Sequence, residues 1–122
     1  MDKKLRLLYV DDEEQLRHLV SDQLKGEGYD VETADDGDTA LELIKKGKYD
    51  LILLDIRMPR VSGIEVLKYL KAHKITSRVI MLTAVDDLSI ALETVKNGAN
   101  DYLTKPYDLD NLLACIRRVT VT

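Results

Sequence analysis

Leu51-Ile52-Leu53-Leu54 runs straight into Asp55, and Ile56-Arg57-Met58-Pro59 follows. Four successive large aliphatic side chains leave no polar face. That is the pattern of a strand buried on both sides, central in a parallel sheet. Pro59 cannot continue a ladder, so the chain must leave the sheet just beyond Asp55. Asp55 is therefore placed at the carboxyl end of the middle strand, the edge where open α/β sheets bind ligands.

The flanking sequence repeats a β-α unit five times. Strands are expected to begin near Leu5, Asp30, Leu51, Arg78 and Asp101, a period of roughly 20–30 residues that suits βαβ crossovers. The helices between them carry apolar stripes: Leu16, Leu19, Val20 and Leu24; then Ala40, Leu43 and Ile44; then Ile64, Leu67 and Leu70. Leu88, Ala91, Leu92 and Val95 follow, and Leu109, Leu112, Leu113, Ile116 and Val119 close the series. Asp35-Asp36-Gly37-Asp38, Ser62-Gly63, Asp86-Asp87 and Asp108 supply helix-start chemistry, and Gly26, Gly28, Gly47 and Gly98 supply stops. The expectation is one α/β domain over residues 1–122, a three-layer sandwich with helices on both faces of a parallel sheet.

Composition narrows the function classes. A formal net charge of −4 argues against this domain gripping nucleic acid by itself. No apolar run is long enough for a membrane span. Met1-Asp2-Lys3-Lys4 leads into only a short apolar stretch, so no signal peptide is expected. Cys115 stands alone, which rules out an internal disulfide or a thiolate metal cage and fits a reducing cytoplasm.

Polar groups recur where the strands end: Asp11 and Asp12, Asp55, Thr83, and Lys105. A parallel sheet puts such ends along one rim. If the carboxylates meet there they repel, unless a cation neutralises them. Hard oxygen donors without His or Cys favour Mg²⁺, or Mn²⁺ as its substitute, over zinc. Lys105 is a point charge suited to a phosphate, Thr83 is a hydroxyl donor, and Asp55 is the natural nucleophile. Each residue has a plainer reading when taken alone. The acidic run Asp11–Glu14 suits a helix N-terminus. Thr83 suits a turn, Lys105 suits an exposed site, and Tyr102 suits the core. His18 is expected in solvent, His73 and Arg117-Arg118 near helix C-termini, and Cys115 as a small packed hydrophobe.

Taken in order, the acidic pair Asp11-Asp12, Asp55-x-x-Met58-Pro59-x-x-x-Gly63, Thr83-Ala84, and Gly98-Ala99-Asn100-Asp101-Tyr102-Leu103-Thr104-Lys105-Pro106 resemble the receiver domain of two-component response regulators. The match spans essentially the whole chain. The resemblance implies a flavodoxin-like, doubly wound sheet in the order 2-1-3-4-5 with five helices, an order that periodicity does not yield. It implies that Asp55 accepts a phosphoryl group from a sensor histidine kinase or phosphotransfer protein. Mg²⁺ would be held by Asp12, Asp55 and the main-chain carbonyl of Arg57, with Asp11 acting through water. Lys105 and Thr83 would bind the phosphoryl oxygens, with small Ala84 leaving access. Tyr102 would follow Thr83 inward and remodel the face made by the fourth helix, fifth strand and fifth helix. The Lys105-Pro106 bond would be cis. An output partner or effector domain is implied without being specified. So is a monomer, or a dimer that forms on phosphorylation.

Competing readings fare less well on the residues. A haloacid-dehalogenase-like phosphatase needs a second aspartate two positions after the nucleophile, where Arg57 stands and cannot donate a proton at neutral pH. A flavodoxin-like cofactor binder needs a glycine- and hydroxyl-rich loop after strand one, where Asp11–Glu14 would repel phosphate. A degenerate receiver acting only as a binding module would lack some of the matched site residues, and none is missing. The domain is thus expected to be a phosphoacceptor rather than an enzyme. Arg57 and Val85 occupy positions that vary in the family and flank the phosphoryl site. Apolar Val85 cannot orient an attacking water, so Val85→Gln is expected to speed loss of the aspartyl phosphate several-fold in a phosphate-release assay. An unchanged rate would remove Val85 from lifetime control.

Overall fold

The computed structural model describes residues 4–121. The reading of Met1-Asp2-Lys3 as free of a targeting signal falls outside them. The elements are β1 (Arg6–Val10), α1 (Glu14–Gly26), β2 (Asp30–Ala34), α2 (Gly37–Lys46), β3 (Leu51–Asp55) and α3 (Gly63–Ala72). They continue with β4 (Arg78–Thr83), a 3-10 turn (Val85–Asp87), α4 (Leu88–Lys96), β5 (Asp101–Thr104) and α5 (Leu109–Thr120). All strand pairs are parallel, and the order is β2-β1-β3-β4-β5. The flavodoxin-like, doubly wound fold expected from the resemblance is the one observed.

The side chains of the central strands divide by parity. Leu8, Val10, Ile52, Leu54, Val79 and Met81 enter the core shared with residues of α2, α3 and α4. Leu7, Tyr9, Leu51, Leu53, Ile80 and Leu82 enter the core shared with α1 and α5. A strand that feeds two cores has no face left for polar residues, and every residue of β3 is buried. The chain moves from β1 outward to β2, then back across β1 to β3. The connections after β1 and β3 therefore diverge in opposite directions and open a crevice at the carboxyl ends of these two neighbours.

Local chemistry sets most helix starts as expected. Asp36, Ser62 and Asp108 accept hydrogen bonds from the backbone N–H groups of Thr39, Glu65 and Asn111. Asp86 and Asp87 do not cap α4. They lie in the 3-10 turn, and α4 begins after them. The expected apolar stripe of α4 holds at Ala91 and Val95 and fails at Leu92. Leu92 is exposed, while Ala91 and Thr94 are buried, with Thr94 Oγ1 donating to the Ala91 carbonyl at 2.6 Å. Small residues on that face let the helix lie close to the sheet. In α1, Leu19 is likewise exposed and Ser21 is buried. β5 ends at Thr104, one residue before the expected Lys105. Cys115 lies on the buried face of α5, not beside it.

Gly63 opens α3 against the end of β3. Its N–H donates to the Ile56 carbonyl at 2.9 Å, and a Cβ there would fall on the Asp55 carbonyl oxygen. The clash is with backbone, which cannot rotate away. Gly63→Ala is therefore expected to lower stability by about 1–3 kcal/mol, measured by urea unfolding. Wild-type stability would show that the loop after β3 gives way.

Candidate functional site

Asp55 ends β3 and is nearly buried, with 6% of its surface exposed. Asp11, immediately after β1, is fully buried, and Asp12 is exposed. One carboxylate oxygen from each of Asp11, Asp12 and Asp55 lies within 4.8 Å of the others. The sheet edge thus gathers the three acids expected to converge. Lys105, just past β5, joins them. Its Nζ lies 2.9 Å from Asp11 Oδ2, 3.1 Å from Asp55 Oδ2 and 3.4 Å from Glu13 Oε1. Lys105 N–H donates to the Thr83 carbonyl at 2.7 Å, and the Lys105-Pro106 peptide is cis, as expected.

Thr83 ends β4, is buried, and donates its hydroxyl to the Ala84 carbonyl at 3.1 Å. A cleft of about 170 Å³ is lined by Asp12, Asp55, Arg57, Thr83, Ala84 and Lys105, together with Glu13, Ile56 and Asp87. Asp11 lies beneath it. Tyr102 and Val85 do not line it. Tyr102 is half-buried on β5 beside Met81, and Val85 projects 65% exposed.

The electrostatics follow from this crowding. Burial pushes the Asp55 carboxyl up to about 6; Lys105 opposes the shift, and the charges of Asp11 and Asp12 add to it. Burial works against the Lys105 ammonium. Its hydrogen bond to Asp11 and the charges of Asp55 and Asp11 outweigh that and hold its pKa above the ordinary lysine value. The donor set is hard. Among the described residues Asp12 makes no hydrogen bond through its carboxylate, and Asp55 Oδ1 accepts only the Arg57 N–H at 3.3 Å. His18 pairs with Glu14, His73 stacks on Tyr69, and Cys115 lies against Asp101. No imidazole or thiol therefore competes with the carboxylates, and the set suits a small divalent cation of the Mg²⁺ type.

Three contributors escape the sequence patterns. Tyr9 lies within β1, and its hydroxyl donates to Asp11 Oδ2 at 3.2 Å and shares a 2.9 Å hydrogen bond with the Tyr107 hydroxyl. Burial pushes the Tyr107 phenol up to about 12 and raises the Tyr9 phenol further, so both stay protonated donors at neutral pH. Arg17 Nη1 donates to the Asp11 carbonyl at 2.8 Å. Asp87 meets the guanidinium of Arg57. The one available signal was parity: Tyr9 stands two residues before Asp11, between the aliphatic Leu8 and Val10.

Comparisons with known proteins place the sequence and fold among characterised chains. The family model described as the response regulator receiver domain matches residues 7–117. The transcriptional regulatory protein DltR of Streptococcus agalactiae is 42% identical over 113 residues, which is 93% of this chain and 50% of that protein. The regulatory protein AtoC of Escherichia coli is 39% identical over 113 residues, 93% of this chain and 24% of that protein. The chain thus spans half or less of these curated relatives. Among solved structures, a Francisella response regulator 1452 receiver domain superposes with a TM-score of 0.89 at 34% identity, covering 96% of this chain and 97% of that one.

Because the native pKa of Asp55 lies above the unfolded value of 3.8, the folded chain binds more protons between about pH 4 and pH 6. Stability from this group is fully present below that window and is lost as pH rises through it. Asp55→Asn is therefore expected to unfold later in urea at pH 7.5, by about 1–3 kcal/mol, with the gain disappearing near pH 4. A variant no more stable than wild type at pH 7.5 would mean that Lys105 fully compensates the buried charge.

Proposed function

Since this chain belongs to the response regulator receiver domain family, we propose that it is a phosphoacceptor switch that takes a phosphoryl group onto Asp55 from a sensor histidine kinase or phosphotransfer protein. The observation that carries this reading is the single ammonium of Lys105 bridging Asp55 and the buried Asp11 at the sheet edge. In the transfer, a carboxylate oxygen of Asp55 forms the new bond to phosphorus as the bond from phosphorus to the donor imidazole nitrogen breaks. That nitrogen keeps the electron pair, and the ring, its other nitrogen carrying a proton, leaves as neutral imidazole.

Asp12, Asp55 and the Arg57 main-chain carbonyl would hold Mg²⁺, or Mn²⁺ in its place, with Asp11 behind them. Once bound, the ion would supply charge neutralisation for the incoming phosphoryl oxygens. Lys105 orients Asp55 and offers its ammonium to the same oxygens. A phosphoryl group brings nearly two negative charges and strong acceptors. The Thr83 hydroxyl, now spent on the Ala84 carbonyl, gains better partners by turning toward it. That gain exists only in the phosphorylated state, so it can shift a two-state equilibrium. Tyr102, half-buried on β5, would follow into the space vacated and alter the α4, β5 and α5 face that an output partner or effector reads. Ala84 leaves room for the movement, and exposed Val85 sets how easily water attacks the product.

Residues 1–122 would form this one domain, working in the cytoplasm as a monomer or as a dimer assembled on phosphorylation, without itself binding nucleic acid. None of the described helices is long and apolar enough to cross a membrane. An aspartate-based phosphatase is disfavoured because the position two beyond Asp55 holds Arg57, whose guanidinium is engaged with Asp87. Acetyl phosphate with Mg²⁺ is expected to place one acid-stable, base-labile phosphoryl group on Asp55, seen by intact-mass spectrometry without sustained turnover. Asp55→Asn or omission of the metal should abolish it. Lys105→Ala should retain some label and lose the accompanying structural response. Steady phosphate release, or label elsewhere, would overturn the assignment.

A further inference from the structure

The Arg57 guanidinium holds Asp87 with two donors, Nε to Oδ2 at 2.5 Å and Nη2 to Oδ1 at 2.7 Å. The partners sit in unlike settings: the Arg57 side chain is 74% exposed and that of Asp87 only 5%. Among the described residues no other donor reaches the Asp87 carboxylate, and it does not cap α4. A nearly buried charge thus depends on one solvent-facing partner. The hydrogen bonds from Arg57 hold the Asp87 carboxyl below the usual carboxylate range, so the group is ionised at neutral pH.

The pair spans the candidate cleft. Arg57 lies in the loop after β3, and its N–H donates to Asp55 Oδ1. Asp87 ends the turn after β4, and its N–H donates to the Ala84 carbonyl at 3.0 Å. That same carbonyl accepts the Thr83 hydroxyl. One ion pair therefore ties the loop beside Asp55 to the turn that keeps the Thr83 hydroxyl occupied.

We propose that Asp87 is a positioning residue: its pair with Arg57 holds the Val85–Asp87 turn in the unmodified arrangement, and a phosphoryl group on Asp55 opens the turn by drawing the guanidinium to itself. This rests on the reading of Asp55 as the phosphoacceptor. A planar guanidinium matches a phosphoryl group bidentately, and the dianion outcompetes a single carboxylate. When the guanidinium leaves, Asp87 becomes an uncompensated buried charge, which is strongly unfavourable. Lifting the carboxylate into water relieves it. The lift pulls on the Asp87 N–H bond to the Ala84 carbonyl and so loosens the partner of the Thr83 hydroxyl. Exchange of one anion for another is thereby turned into movement of the turn and of the start of α4.

The test compares the whole chain with its Asp87→Asn, Asp87→Glu and Arg57→Ala variants by amide hydrogen exchange, before and after acetyl phosphate with Mg²⁺. In the unmodified state, exchange over residues 84–90 is expected to quicken roughly fivefold or more in Asp87→Asn and Arg57→Ala. It should stay near wild type in Asp87→Glu and be unchanged in β1 and β3 of all three. Arg57→Ala alters only the exposed partner, so it carries this comparison without touching a buried group. Labelling separates positioning from mere support. Asp87→Asn, which frees the guanidinium, should be phosphorylated faster than wild type, and Arg57→Ala should not. Wild-type exchange in both unmodified variants overturns the clamp. Equal labelling of Asp87→Asn and Arg57→Ala overturns the hand-over. A wild-type chain that takes no label overturns the phosphoacceptor reading and the hand-over together, while exchange in the unmodified chains still decides the clamp.

Discussion

One ammonium group makes the acidic edge of this sheet tenable. Asp11 is fully buried and Asp55 almost so, and Lys105 Nζ reaches both. Two carboxylates withdrawn from water and facing each other repel, and burial together with that repulsion drives Asp55 toward its protonated form. Lys105 offsets part of that and leaves the rest standing, which is why Asp55 remains raised to about 6. The edge is therefore charged, compact and under-neutralised. Its three carboxylate donors suit a small divalent cation.

The frame around that edge is set by buried neighbouring strands. The acids follow β1 and β3, adjacent strands whose side chains fill two cores at once. Asp11 is fixed further by the Tyr9 hydroxyl, the Glu13 N–H and Lys105, and its carbonyl by Arg17. The Tyr9 to Tyr107 hydrogen bond carries this network to the segment that follows the cis peptide. In contrast, the loop after β3 and the turn after β4 are joined across the cleft by side chains, through Arg57 and Asp87.

Much of this architecture was legible from local pattern. An aliphatic run with no polar face identified β3, and the apolar stripes with their caps located five helices, because burial and capping depend on near neighbours. Four strand ends carrying Asp11, Asp12, Asp55, Thr83 and Lys105 pointed to one rim. The pattern placed Ala91 and Val95 of α4 correctly against the core but misjudged Leu92, which faces solvent, and missed Thr94, which is buried. Periodicity registers hydrophobicity alone, whereas a helix packed close over a sheet also selects small residues. It also gave Tyr9 no role of its own and read Asp87 as a helix start, since neither role shows without the partner.

From the sequence alone came the alternating β-α build, the two-faced burial of Leu51–Leu54, and an acid at the end of that strand. Only the folded chain settled which acids meet, that Lys105 Nζ is shared between Asp11 and Asp55, that Tyr9 and Tyr107 join beneath them, and that Arg57 reaches Asp87. Propensity and amphipathicity act over a few residues along the chain. A charge finds its counter-charge through space, and the partners of Lys105 lie up to 94 positions away in sequence, brought within reach only by the order in which the strands lie side by side.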